Sequence, residues 1–469
     1  MQGKGANHDY QFTNYRLAFT MLPHMDTETA YNQALDYLYS YVDYSLKKSS
    51  ELAKAHFELG RMRALMASLG NPQDAYPIMH VAGTKGKGST SALMASALNA
   101  AGYKTGLYTS PHLQDYAERI QIDGQPIAHA RLVELVEEIK PAVAKIPALT
   151  TFEITTALGF LYFARQNVDA AVIEVGLGGR LDATNVLTPR VSVITSLSYD
   201  HMAVLGNTLT LIAGEKAGII KPGLPVVSSP QQDEALAVLE KVSAERNAPL
   251  TLVGRDVTFE PMQHSLDGQS FSFIDQQSSA ETHSKITNPV ILRIPLLGAH
   301  QVANAATAYA ALQASGLRLA ETDVRKGFAE VHWPCRFEIV RREPPVVLDS
   351  AHNLDSFEKL AQTLDDYFPD RPVILIFGAS EDKDVTGMFN ALKSRLRRVI
   401  GTKAVHPRAL EPEFIAETAS RLGIPTETAA KVDTALARAL ELAAKDGELV
   451  LSAGSMFVTA EVKTAWEKR

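Results

Sequence analysis

Cysteine is nearly absent from this chain of 469 residues: Cys335 is the only one. A single thiol excludes an internal disulfide framework and any Cys-rich zinc site, and it fits a reducing cytoplasm. Basic blocks are absent too, and the net charge is −7, which argues against a general nucleic-acid-binding surface. An anionic ligand would have to be held by a local site. No apolar run reaches membrane-spanning length. The N-terminus is polar, contains Asp9 and lacks an apolar signal core, so neither a secretory leader nor a membrane partner is expected. Its first twenty or so residues read as a loose polar and aromatic extension.

What is present is an ordinary globular composition, 46% hydrophobic and 21% charged, at a length beyond what one core usually supports. Strand-like and helix-like segments alternate from residue 76 onward, which predicts an α/β architecture with a mainly parallel sheet. Strands are expected at 76–82, 104–109, 169–175, 191–196 and 225–229, with helices at 153–166, 232–247 and 300–316. The polar, alternating stretch 255–288 predicts a β-hairpin excursion or a flexible insert. After Trp333-Pro334 the alternation restarts, with strands at 345–349, 372–377, 397–402 and 448–451. The expected domains are 1–333 and 334–469, each long enough for its own core.

Four clusters follow strand ends. Residues 78–91 are an apolar run, then the turn Gly83-Thr-Lys-Gly-Lys-Gly-Ser89, then the start of an amphipathic helix. Such a turn aims backbone N–H groups and a helix N-terminus at one point, a design suited to phosphate. Lys87 adds a charge for the outer phosphates, and Ser89 or Thr90 a hydroxyl suited to Mg²⁺. The match to the usual loop is imperfect, with Val81 at its first glycine and Gly88 between lysine and hydroxyl, so a plain strand–helix turn is the alternative.

The second cluster is Glu174-Val-Gly-Leu-Gly-Gly-Arg-Leu-Asp-Ala-Thr-Asn185, an acid at a strand's carboxyl end beside three glycines. The third holds Asp200-His201, and the fourth is Ser110-Pro-His. A hydrogen-bonded strand end and a loop cap are the bland alternatives for Glu174 and His201. Parallel strands bring their carboxyl ends together, however, and the joint arrangement predicts oxygen- and nitrogen-ligated Mg²⁺ beside a triphosphate. Lys216, in Glu215-Lys-Ala-Gly-Ile-Ile-Lys221, reads from its residues alone as an exposed helical lysine. In the second half, Cys335-Arg336, Asp349-Ser-Ala-His352-Asn353 and Phe377-Gly-Ala-Ser-Glu-Asp-Lys383 also lie at strand ends, which predicts a cleft between two domains.

The ordered series resembles folylpolyglutamate synthase/dihydrofolate synthase of the Mur-ligase superfamily. It comprises His-Val-Ala-Gly-Thr-x-Gly-Lys-Gly-Ser, Ser-Pro-His-Leu, Glu-Val-Gly-Leu-Gly-Gly-Arg-Leu-Asp-Ala-Thr-Asn, Asp-His-x-x-x-Leu-Gly-x-Thr, Glu-Lys-Ala-Gly-Ile-Ile-Lys, His-Gln-x-x-Asn-Ala, Arg-Phe-Glu and Leu-Asp-x-Ala-His-Asn. The resemblance implies a P-loop ATPase domain joined to a smaller Rossmann-like domain. It also implies ATP-dependent ligation of L-glutamate to a folate or dihydropteroate carboxylate through an acyl phosphate. Carried onto this chain, Lys85, Gly86, Lys87, Gly88 and Ser89 form the phosphate loop, and Asn304, Arg336 and Asp349 hold ATP from farther along the chain. Ser110, Glu174 and His201 match magnesium ligands. Thr150, Thr151, Phe152 and Glu153, with Leu181, Asp182 and Ala183, match the pterin or pteroate pocket. Lys216 matches a carbamylated lysine, and His352 is expected near the acyl-phosphate and glutamate region.

Three residues depart from the family pattern: Lys85 for Asn, Cys335 for Gly before Arg336, and Ser350 for Gly after Asp349. The last two put the local backbone in question, because Gly permits a positive φ and other residues seldom do. Two rival readings share the phosphate residues: a sibling ligase acting on a cell-wall nucleotide precursor, and a nucleotide-binding module without ligase activity. The segments 150–153 and 181–183 favour folate, and the intact Lys87, Glu174, His201 and Lys216 favour an enzyme. A working monomer is expected, the cleft lying between domains of one chain.

Overall fold

The computed structural model describes residues 26–43, 57–275 and 289–469. The N-terminal extension and the last part of the expected insert, 276–288, lie outside the described residues. Strands β1 (Ile78–Ala82), β2 (Thr105–Tyr108), β3 (Ile120–Ile122), β4 (Gln125–Pro126), β5 (Ala170–Glu174), β6 (Val191–Ile194), β7 (Val226–Ser228) and β8 (Leu250–Leu252) form one sheet, ordered β4-β3-β2-β5-β1-β6-β7-β8. From β2 to β8 the pairs are parallel; β3 runs antiparallel to β2, and the edge strand β4 antiparallel to β3. β1, β5 and β6 are buried along their whole length, which is why they read as continuous apolar runs. Val81 pairs with Glu174 on one side and Val193 on the other, so three carboxyl ends finish level.

Helices Lys87–Ala100, Ala299–Ala314 and Glu321–Glu330 cover one face of this sheet. The hairpin foreseen in the insert is β9 (Val257–Ser265) with β10 (Gly268–Asp275), joined by β11 (Val290–Ile294) into a small antiparallel sheet that adds Phe271 and Phe273 to that same core. On the other face lie Thr27–Tyr39, Gly60–Ser68, His129–Val143 and Thr151–Arg165. The helix after the phosphate loop is not amphipathic as expected. It is buried from Ser89 to Ala95 and at Ala97 and Leu98, because it runs between the sheet and two helices, and its Ser, Thr and Ala side chains are small enough for close approach on every side.

A third sheet contains β12 (Glu338–Arg342), β13 (Pro345–Leu348), β14 (Val373–Phe377), β15 (Leu396–Gly401), β16 (Thr426–Thr428) and β17 (Leu449–Ala453), ordered β12-β13-β17-β14-β15-β16. Only β12 is antiparallel. Phe357, Leu360 and Phe389 pack one face, Leu436, Val458 and Val462 the other. Among the described residues no helix is long and apolar enough to cross a membrane.

Candidate active site

The carboxyl ends of the two large sheets face one cavity of about 800 Å³. Its wall includes Lys85 to Ser89, Ser110, Thr150 to Glu153, Glu174, Leu181 to Ala183, His201, Asn304, Arg336, Asp349 and His352. One expected site residue, Lys216, is not on that wall.

The phosphate loop is fixed at three points. The N–H groups of Thr84 and Lys85 both donate to the Ser196 carbonyl, at 2.9 and 3.1 Å, so these two are occupied. Gly86 has φ +86°, and a Cβ there would lie 2.2 Å from Asn304 Oδ1, so only glycine lets Asn304 come down on the loop. Gly88, the irregular glycine of the motif, backs onto Trp333: a Cβ would lie 2.9 Å from the indole Cζ2. The irregularity is therefore a packing requirement. The helix starts at Lys87, and its first-turn N–H groups lack intrahelical partners and open toward the cavity as an anion site.

Glu174, the last residue of β5, accepts the Ser110 N–H at 3.2 Å with Oε2, while Oε1 lies 3.9 Å from Lys87 Nζ. Burial pushes its carboxyl upward, against the pull of Lys87. A divalent cation would offset that desolvation, and carboxylate and hydroxyl oxygens are the donors Mg²⁺ takes. Desolvation by the surrounding cleft walls lowers the His201 imidazole to about 4 although the residue is exposed, and Lys383 and Lys87 act in the same direction, so the ring is in its neutral form. Among the described residues no group of three or more His, Cys, Asp and Glu side chains is arranged to hold a metal; in the expected trio, Ser110 supplies a hydroxyl. The donors fit the ion.

Lys216 sits in the last turn of helix Leu209–Ala217 and is only 4% exposed. The exposed-lysine reading fails because the side chain turns inward under the phosphate loop, where Nζ donates to the Gly83 carbonyl at 2.8 Å. Burial, and next Lys87, lower its ammonium to about 7.

In the pocket segments, polar groups are spent on the walls. Thr150 and Glu153 cap helix Thr151–Arg165 reciprocally, and the Glu153 carboxylate also accepts from Arg61 Nε at 3.2 Å. Thr151 Oγ1 donates to the Leu38 carbonyl at 3.0 Å. Asp182 accepts the N–H groups of Gly176, Leu177 and Thr184 at 3.1, 2.9 and 3.0 Å. What these segments offer a ligand is mainly Phe152, Leu181 and Ala183, and Gly176 is bare so that the Phe152 ring can lie against it.

Across the cleft, Asp349 follows β13 and accepts the N–H groups of Phe337 and Ala351 at 2.8 and 2.7 Å. Cys335 does occupy the left-handed region, with φ 56°, so the backbone a glycine would take is kept in spite of the side chain. Ser350 does not need a positive φ. Lys85 turns its ammonium away from the first helical turn to Asp200, at 2.9 Å. Lys383 and Arg61 also line the cavity, and Asp200 joins Lys383 at 3.4 Å. Asp200 and Lys383 carried a signal, lying beside His201 and just past β14; Arg61, on an N-terminal helix, carried none.

The Mur ligase middle domain matches residues 81–312, and the Mur ligase glutamate ligase domain matches residues 335–456. A Bacillus subtilis dihydrofolate synthase/folylpolyglutamate synthase is 34% identical over 93% of this chain and 99% of its own. The chain belongs to the dihydrofolate synthase/folylpolyglutamate synthase family of Mur ligases. The structure of Mycobacterium tuberculosis folylpolyglutamate synthase complexed with ADP and AMPPCP superposes with a TM-score of 0.84 at 35% identity, covering 95% of this chain and 99% of that one. Escherichia coli FolC in complex with DHPP and ADP gives 0.80 at 31% identity, covering 95% and 100%. The Mur-ligase fold read from the ordered motifs is the fold this family has.

Proposed function

We propose that this chain ligates L-glutamate to a folate or dihydropteroate carboxylate at the expense of ATP, within domains 1–333 and 334–469. The observation that carries the reading is one cavity lined at once by an anion-binding helix start, a buried acid beside Lys87, and a separate apolar wall of Phe152, Leu181 and Ala183. Triphosphate, metal and an aromatic substrate each find their own chemistry there. The full-length likeness to the Bacillus subtilis enzyme supports the same assignment.

In this reading the N–H groups of Gly86 to Ser89 and the Lys87 ammonium hold the β- and γ-phosphates, while Asn304, Arg336 and Asp349 hold the rest of the nucleotide. Ser110, Glu174 and His201 would hold Mg²⁺, which would supply charge neutralisation on the phosphates. A carboxylate oxygen of the substrate, placed along Phe152 and the 181–183 segment, attacks the γ-phosphorus and ADP leaves. The glutamate amine then attacks the acyl carbon, and phosphate departs with one former carboxylate oxygen. His352 faces this second step from the other side of the cleft. Lys216 acts as a carbamate: its neutral amine nitrogen bonds to the CO₂ carbon and releases one N–H proton to solvent, leaving an anion, and its lowered basicity supports that chemistry. The enzyme works as a monomer, because the cavity needs strand ends from one chain only, and the single cysteine fits a cytoplasmic place of work.

The test is ADP release with Mg²⁺, ATP and L-glutamate, offering dihydropteroate, tetrahydrofolate or a cell-wall nucleotide precursor in turn. Turnover with either of the first two supports the reading. Turnover only with the precursor overturns it.

A further inference from the structure

The phosphate loop carries an ammonium that the reaction scheme above leaves without a task. Lys85 Nζ donates to Asp200 Oδ2 at 2.9 Å and lies 3.3 Å from His352 Nε2. The same Asp200 carboxylate accepts Asn353 Nδ2 at 3.3 Å and faces Lys383 Nζ at 3.4 Å. Lys85 and Asp200 belong to the eight-stranded sheet's loops, whereas His352, Asn353 and Lys383 come from the six-stranded sheet. One carboxylate thus gathers donors from both lobes. His352 Nδ1 lies 2.9 Å from the Ser350 carbonyl, an acceptor only, so this nitrogen carries the proton and Nε2 is left to accept from Lys85.

We propose that Lys85 is a positioning residue that ties the phosphate loop to the second lobe through Asp200 and His352, and so sets how the second lobe closes on the phosphate being transferred.

Asparagine at this place would have neither the reach nor the charge to join Asp200 to His352. With Asn, Asp200 would keep the neighbouring His201 N–H from its own lobe and Lys383 and Asn353 from the far side, and would lose the ammonium that joins it to His352. The side chains of Lys85, Asp200 and Lys383 are exposed by 16, 9 and 14%, so their mutual interactions are poorly screened by solvent, whereas His352 is 40% exposed. The Lys85 charge is also the largest influence keeping His352 in its neutral form, at about 3. Binding of the triphosphate itself is left to Lys87 and the free N–H groups of the helix start, since the Lys85 N–H is already given to Ser196.

The proposal rests on the ligase reading for its consequence, but its geometry can be measured without turnover. Lys241→Cys and Arg421→Cys, on exposed helical positions of the two lobes, accept spin labels; Cys335 is fully buried and stays unlabelled. The pair distance is then measured by electron–electron double resonance in the parent, Lys85→Met, Lys85→Asn and Lys85→Arg, each first checked for a cooperative thermal melt. Lengthened or broadened distributions are expected for Met and Asn, with Arg nearer the parent. In the unlabelled enzymes kcat should fall about ten- to a hundredfold for Met and Asn, as misplaced reacting groups cost. The ATP dissociation constant should move less than about threefold, because uniform binding is not what is lost.

Parental distributions in both Met and Asn variants overturn the proposal. Parental distributions with a tenfold weaker ATP affinity would make Lys85 a phosphate ligand instead. A parent chain that fails to ligate glutamate removes the proposed function, yet the distances still decide whether Lys85 ties the lobes.

Discussion

Lys216 Nζ donates to the Gly83 carbonyl across 2.8 Å, from behind the phosphate loop and off the cavity wall. Burial lowers its ammonium to about 7, so near neutral pH a far larger share is neutral than for an ordinary lysine. Only the neutral amine adds CO₂. With ¹³C-labelled bicarbonate, a carbamate resonance is therefore expected to grow as pH rises through 7 and to be missing in Lys216→Ala. That variant should lose about a hundredfold or more in kcat, the usual scale for a missing electrostatic group, with partial rescue by acetate. Full activity without rescue would contradict the carbamate role. The same shift has a stability consequence for the unmodified lysine. The folded pKa lies below the unfolded one, so the unfolded chain binds the extra proton between about pH 7 and 10.5, and this group's contribution to stability rises with pH across that window.

Gly86→Ala should separate phosphate binding from folding. A Cβ at this position meets Asn304 Oδ1 at 2.2 Å, at a φ of +86° that costs a side chain about 1–2 kcal/mol. ATP binding measured by calorimetry should weaken at least about tenfold, since a shift of the loop misaligns several N–H donors together. The double variant with Asn304→Ala would regain the room and not the backbone strain, so it should recover stability only in part.

Cys335 should be inert in the native protein. It is fully buried, and burial pushes its thiol up to about 12. A disulfide reagent at pH 8 should find no reactive thiol until denaturant is added, and then one per chain. Rapid native labelling would mean that the strained turn at φ 56° opens readily.

Glu153→Ala removes the side-chain half of a reciprocal cap, leaving the backbone N–H of residue 153 on Thr150, and takes one of two carboxylate partners from Arg61, which keeps Glu58. Loss of half a cap and of one ion pair should cost about 1–2 kcal/mol in urea unfolding. Glu153→Gln keeps an acceptor for the Thr150 N–H and should cost less.

The strands were legible because central parallel strands are buried on both faces and leave unbroken apolar runs, as at β1, β5 and β14. The site was legible because each of its motifs follows such a strand. Asp200 shows what was not: its partners Lys85, Asn353 and Lys383 lie 115, 153 and 183 residues away, and no local pattern encodes that meeting. Lys216 was hidden for a different reason. Its helix has only nine residues, too few for periodicity to assign an inward face. Arg61 and Tyr39 reach the cavity from N-terminal helices that carry no motif.

The central claim is transfer of a carboxylate oxygen to phosphate through an acyl phosphate. It is tested most directly by running the ligation with substrate labelled with ¹⁸O in the reacting carboxylate and analysing the released phosphate by mass spectrometry. One labelled oxygen in each phosphate, matched to one glutamate added, is the predicted result. Unlabelled phosphate released at the same rate as ligated product would contradict the account.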